Sequence, residues 1–112
     1  MTFEQWDVVV VPFPFVDAPE TKPRPALVLS RRGFNEQNRH TVLAMITTAK
    51  GDPWPSDHAI RDQAGAGLRA PSVVRCKIFT LDNRMIQRRI GRLEAHDRTA
   101  CEQTLERVFK GL

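Results

Sequence analysis

With 112 residues, 41% of them hydrophobic, the chain can fill one modest core and little more, so residues 1–112 are expected to form a single domain. Lysine and arginine exceed aspartate and glutamate by 17 to 13, and this net +4 favours polyanionic partners without separating nucleic acid from membrane. No basic segment leads into an apolar stretch and no run is long enough to cross a bilayer, which excludes a spanning helix and points to a cytoplasmic protein without a membrane partner. The two cysteines, Cys76 and Cys101, are too thin a framework for a disulfide scaffold and read as packing residues.

Residues 6–13 are β-branched and apolar, end in prolines and form a first strand. From residue 14 to 25, prolines and charged residues with no helical period make a long loop of functional interest. A second strand resumes at residues 25–29, residues 30–40 are polar with room for a turn of helix, and residues 41–46 suit a third strand. Gly51, Pro53 and Pro55 then break regular structure. Residues 58–60 suit a short strand, Gly65 and Gly67 mark a turn, and residues 72–79 form another strand. The chain turns at residues 81–84 and enters a last strand at 86–93, where Gly91 signals a bulge or a close backbone approach.

The C-terminus changes period. Cys101, Leu105, Val108, Phe109 and Leu112 recur at helical spacing between charges, with Glu94 as N-cap, Asp97 in the first turn, and Lys110 and Gly111 at the end. Short strands followed by one amphipathic helix predict a mainly β fold, a small, strongly curved antiparallel sheet or partly closed barrel.

The inventory of reactive groups argues against metal or nucleophile chemistry. His40, His58 and His96 are scattered and read as solvated surface groups, neither cysteine has a close partner, and no nucleophile elbow or phosphate loop is present. No metal site and no cofactor are expected. Arg24, Arg75, Arg88, Arg89 and Arg92 lie on or beside strands, where they either line a groove for phosphates or pair with Asp and Glu on solvated faces. Of the aromatic residues able to stack on bases, Phe13, Phe15, Trp54 and Phe79, the Pro-flanked Trp54 is the best candidate for an exposed one; Phe13 and Phe79 suit the core.

Four segments together resemble the MazF/PemK family of toxin ribonucleases, especially its PemK-like branch: WDVVVVPFPF at 6–15, KPRPALVLS at 22–30, MITTAK at 45–50 and PSVVRCKIFTLD at 71–82. RRIGRL at 88–93 and the terminal helix continue the match over nearly the whole chain. The resemblance implies an SH3-like curved antiparallel β-barrel with a C-terminal α-helix, usually a homodimer. It also implies metal-independent, sequence-specific endoribonuclease activity on single-stranded RNA, blocked by a cognate acidic antitoxin. Two other readings stay open: a toxin of related fold that binds and poisons DNA gyrase, and a nucleic-acid-binding barrel without catalysis.

Carried onto this sequence, the family's catalytic residues match Arg24 and Thr47, with Glu20 as the acidic residue of the preceding loop. Glu20 is either the proton acceptor or a residue that positions Arg24. Arg75 matches an arginine that contributes to some sites, and Lys22, Thr48, Trp54 and Lys77 are further RNA-binding candidates. Two departures stand out. Trp6 occupies a position where many members have glycine, and Lys77 one where some have a proton-transferring aspartate.

Overall fold

The computed structural model describes residues 2–12 and 22–110. Strands β1 (Asp7–Pro12), β2 (Pro23–Val28), β3 (His40–Thr48), β4 (His58–Ala59), β5 (Ser72–Asp82) and β6 (Arg88–Arg92) form one antiparallel sheet in the order β4-β5-β3-β2-β1-β6. Helix α1 (Arg32–Asn38) joins β2 to β3, and α2 (Ala95–Phe109) follows β6. The sheet curls into a half-barrel with a C-terminal helix, the expected fold class.

Both faces of the central strands are covered, which explains the unbroken valine run of β1. Val8, Leu27, Ala44, Ile46 and Val74 pack on one face with Trp6, Leu93 and Cys101, and α2 lies on that side. Val9, Val11, Ala26, Val28, Leu43 and Phe79 pack on the other with Phe3 and Ile86. Successive residues of a strand point to opposite faces, so this partition fixes the face of every other strand residue.

The gap between edge strands β4 and β6 is bridged by the segment that follows β4. Ile60 donates to the carbonyl of Ser72 on one side, and Arg92 of β6 donates to the carbonyl of Gly65 on the other, both at 3.0 Å. Gly91 permits that approach: a Cβ there would lie 2.3 Å from the carbonyl carbon of Ala66. Both readings of Gly91 hold, because Ile90 is also the extra residue of a bulge, with Val8 opposite Gly91 and Val9 opposite Arg89.

Several boundaries differ from those expected. The second strand begins at Pro23, so Arg24 lies within it. The polar stretch after it forms a seven-residue helix, held by a buried network rather than by apolar periodicity. Asn35, fully buried, donates to the carbonyls of Phe3 and Ser30, while Asn83 donates to the carbonyl of Asn35 and accepts from Thr41 Oγ1 at 2.7 Å. The fifth strand runs on to Asp82, and a short 3-10 turn at Asn83–Met85 replaces the expected turn.

Glu94 caps α2 as expected, its side chain accepting from the Asp97 amide at 2.9 Å. The helix buries less apolar surface than its period implied: Cys101 is buried, but Val108 and Phe109 are about half exposed. Asp97 anchors it instead. Its buried carboxylate accepts from the Arg61 amide at 2.9 Å and the Asp62 amide at 3.0 Å, and Oδ1 lies 2.7 Å from His58 Nε2. His58 is therefore a structural partner, not the solvated group expected, whereas His40 and His96 are exposed. Burial raises the pKa of the Asp97 carboxyl, but the amides of Arg61 and Asp62 and the contact with His58 outweigh it and leave the group below its ordinary range. Cys76 and Cys101 are both free thiols, with burial pushing Cys101 up to about 12.

Trp6 adopts a left-handed backbone conformation with φ 76°, the geometry that favours glycine. Its amide donates to Val28 at 2.8 Å and its carbonyl accepts from Leu93 at 3.0 Å, so pairing on both sides holds it there while the indole fills the core.

Candidate functional site

Two proline positions open the sheet where Arg24 stands. Strand β2 pairs with β1 along its length, Arg24 opposite Val11 and Pro23 opposite Pro12. Toward β3 the pairing stops at Ala26 opposite Met45. Proline has no N–H to donate, so a ladder running through Pro23 and Pro25 cannot be completed on both sides. Continuing the register two residues past Ala26 and Met45 aligns Arg24 with Thr47 across the unpaired end. Arg24 is half-buried, and its Nε is enclosed without a hydrogen-bond partner among the described residues. A buried donor left unmatched is costly unless something else satisfies it.

Strand parity collects the neighbours. Arg24 faces the same side as Val11, Thr47 the same side as Met45 and Val73, and Arg75 lies opposite Met45. Between Ala44 and Met45 the β3–β5 register skips Cys76 and Lys77. Two extra residues preserve parity, so half-buried Lys77 lies on the same face as Arg75. Thr48, exposed at the end of β3, lies by alternation on the opposite face, away from Arg24 and Thr47. Lys22 is exposed just before β2. Glu20, Phe13, Phe15, Gly111 and Leu112 lie outside the described residues.

Arg75 is not a loose cation. Its Nε donates to Asp57 Oδ1 at 3.0 Å, its Nη2 donates to Asp57 Oδ2 at 2.8 Å and to the Asp52 carbonyl at 3.3 Å, and its guanidinium sits 5.0 Å from the centre of the Trp54 ring. The Trp54 amide donates to Asp57 Oδ2 at 2.9 Å. The hydrogen bond from Arg75 holds the Asp57 carboxyl below its ordinary pKa. Residues 52–57 are thereby tied to β5 at Arg75, and Trp54 stays 40% exposed. Asp57 was not legible as part of this site, because it is far from Arg75 in sequence and only the β4–β5 pairing, His58 opposite Val74, brings the two together.

The remaining arginines are more conventional. Arg89 and Arg92 lie 3.4 and 3.1 Å from buried Asp7, and Arg92 also reaches Glu4 at 3.7 Å, so these two follow the ion-paired alternative. They sit on β6, at the other edge of the sheet from β5. A group with metal-ligating atoms, Glu94, His96 and Asp97, does exist. Its members are committed elsewhere: Asp97 and Glu94 hold the backbone at the start of α2, and Arg61 Nη1 lies 2.8 Å from His96 Nε2. No helix among the described residues is long and apolar enough to cross a membrane.

A profile of the family described as PemK-like, MazF-like toxin of type II toxin-antitoxin system matches residues 4–109. Comparison with curated proteins finds no match. Among solved structures, the chain is similar to the Mycobacterium tuberculosis toxin MazF-mt6, at 25% identity and a TM-score of 0.74, over 92% of this chain and 95% of that one. Deinococcus radiodurans MazF, in a MazE-MazF complex, is 17% identical with a TM-score of 0.76 over 98% and 97%. An endoribonuclease in complex with its cognate antitoxin, from a mycobacterial species, is 15% identical with a TM-score of 0.74 over 97% and 96%.

Proposed function

The chain belongs to the PemK-like, MazF-like toxins of type II toxin–antitoxin systems, and from that membership together with the site's geometry we propose that it is a metal-independent endoribonuclease acting on single-stranded RNA. The observation that carries this reading is Arg24: a cation between two prolines, aligned with Thr47 at an unpaired sheet end, with a buried Nε that lacks a partner among the described residues.

In the proposed reaction the ribose 2′-oxygen attacks the adjacent phosphorus and the 5′-oxygen leaves, giving a 2′,3′-cyclic phosphate and a 5′-hydroxyl. Negative charge accumulates on the phosphoryl oxygens. Arg24 offers fixed, forked donors to that charge, and its Nε, without a partner among the described residues, finds an acceptor there. A guanidinium offers donors and no acceptor, which suits Arg24 to stabilise charge and not to take a proton. Thr47, on the same face, hydrogen-bonds a phosphoryl oxygen and orients it. Glu20 either takes the 2′-proton or fixes Arg24 through an ion pair, and the acid limb of the pH–rate profile separates the two. A rate that falls with a single carboxylate pKa, and loses that limb in Glu20→Gln, identifies the base.

The neighbours' complexes support a second component. We propose that a small acidic antitoxin covers this basic face, and that two copies of the chain pair into a homodimer. Incubating purified protein with a mixed-sequence RNA in EDTA tests the central reading. Discrete cyclic-phosphate ends are expected. Intact RNA, or activity restored only by a divalent ion, would contradict it.

A further inference from the structure

We propose that Asp57 is a positioning residue that builds a base-stacking shelf beside the cleavage site, by locking Arg75 under the ring of Trp54 so that the ring's remaining surface receives a base of the bound strand. This rests on the ribonuclease reading above.

Three observations carry it. Asp57 is the hub of residues 52–57: its two carboxylate oxygens take both Arg75 donors and the Trp54 amide, and the Asp57 amide returns a bond to the Trp54 carbonyl at 3.0 Å. The side chains of the pair are largely enclosed, 16% exposed for Arg75 and 8% for Asp57, so little solvent competes for these bonds. Trp54, in contrast, keeps 40% of its surface open with a guanidinium against its ring, although an indole with no ligand to meet gains by burial.

Position supplies the rest. Thr47 lies opposite Val73, and Arg75 is two residues further along the same strand on the same face, a diagonal cross-strand neighbour at about 7–8 Å. A strand whose phosphate lies between Arg24 and Thr47 therefore passes within reach of the shelf. A guanidinium already paired with a carboxylate is a poor phosphate ligand, and Arg75 is assigned the supporting side of a stack instead of a phosphate contact. Stacking tolerates every base, so the shelf contributes affinity and register, while discrimination among bases falls to other contacts.

The probe is an uncleavable 2′-O-methyl oligoribonucleotide of mixed sequence, read by acrylamide quenching of tryptophan fluorescence. Trp6 is only 7% exposed, so collisional quenching reports on Trp54. Saturating oligonucleotide is expected to protect Trp54 in the wild-type protein and in Arg24→Ala alike. Trp54→Ala should weaken binding by about fivefold to a hundredfold, and Trp54→Phe, which keeps a ring, should restore most of it. Asp57→Asn should lose the protection and raise KM for a cleavable RNA far more than it lowers kcat. If Asp57→Asn does not fold, the two exposed Trp54 variants decide the matter. Oligonucleotide binding that leaves Trp54 as quenchable as in the free protein, or normal affinity in Trp54→Ala, overturns the shelf even if RNA is cleaved. Protection without any cleavage by the wild-type protein would instead keep the shelf and overturn the ribonuclease reading.

Discussion

Replacing Trp6 by glycine sets two effects against each other, and their sizes decide the outcome. The left-handed φ of 76° costs a residue with a Cβ about 1–2 kcal/mol, which glycine recovers. The indole is 7% exposed and packs with Val8, Leu27 and Leu93, and deleting a buried tryptophan side chain costs about 3–5 kcal/mol. Glycine's greater freedom in the unfolded chain costs about 0.5–1 kcal/mol more. Burial wins, and Trp6→Gly should be less stable by about 2–4 kcal/mol, a fall in urea midpoint of about 1–2 M at an ordinary slope. Trp6→Ala loses the same indole and keeps the strain, so it should fall below Trp6→Gly by a further half to one kcal/mol or so. Urea unfolding of the three proteins at one concentration, followed by circular dichroism because one of the two tryptophan fluorophores is removed, measures both differences. A glycine variant as stable as the wild type, or an alanine variant more stable than the glycine one, would refute the reasoning.

Gly91→Ala places a Cβ 2.3 Å from the Ala66 carbonyl carbon and should break the Arg92–Gly65 hydrogen bond, lowering stability by about 2–4 kcal/mol; an unchanged melting temperature would show that β6 and the bridging segment are not in close contact. Asp97→Ala strands the amides of Arg61 and Asp62 together with His58, for an expected loss of about 3 kcal/mol and a faster hydrogen exchange of those two amides. Asp57 and Asp97 both have carboxyl pKa values lowered in the folded protein, so their contributions are complete above the ordinary value near 3.9 and vanish as pH falls through the lowered ones. Melting temperature should accordingly hold from about pH 7 to 5 and drop below about pH 4, with a shallower acid limb in Asp57→Asn. Arg24→Lys should recover only part of the cleavage lost in Arg24→Ala, because an ammonium keeps the charge but not the fork; single-turnover rates compare them.

What the sequence made legible was whatever local periodicity records. The valine run of β1, the short apolar stretches of β3 and β5 and the helical spacing of α2 announce their elements because burial imposes those patterns. Gly91 was readable as a bulge or a close approach because a glycine inside a strand has no side chain to pack and marks such a place. Pairings across long sequence separations left no such trace. The buried Asn35 and Thr41 look like ordinary polar residues until the fold supplies Asn83, and His58 looks solvated until Asp97 arrives from α2. The start of β2 was placed too late because prolines signal a loop, whereas here they sit in a strand that completes its ladder on one side only. Of the site, Arg24 and Thr47 came from the family resemblance and strand parity puts them on one face; Thr48 lies on the other; Asp57 had no signal at all.

Arg24 is the residue on which the proposed activity turns, and a single comparison tests it most directly: single-turnover cleavage of a mixed-sequence RNA in EDTA by the wild-type protein and by Arg24→Ala, with oligonucleotide affinity and thermal unfolding measured on the same preparations. Removing a donor aimed at developing charge typically lowers the rate by about 10²–10³, while one phosphate contact among several changes binding much less. The expected result is metal-free cleavage by the wild type, a rate at least about a hundredfold lower in Arg24→Ala, and affinity and melting temperature close to those of the wild type. Near-normal cleavage by a well-folded Arg24→Ala protein, or a loss of rate that merely follows a loss of melting temperature, would contradict it.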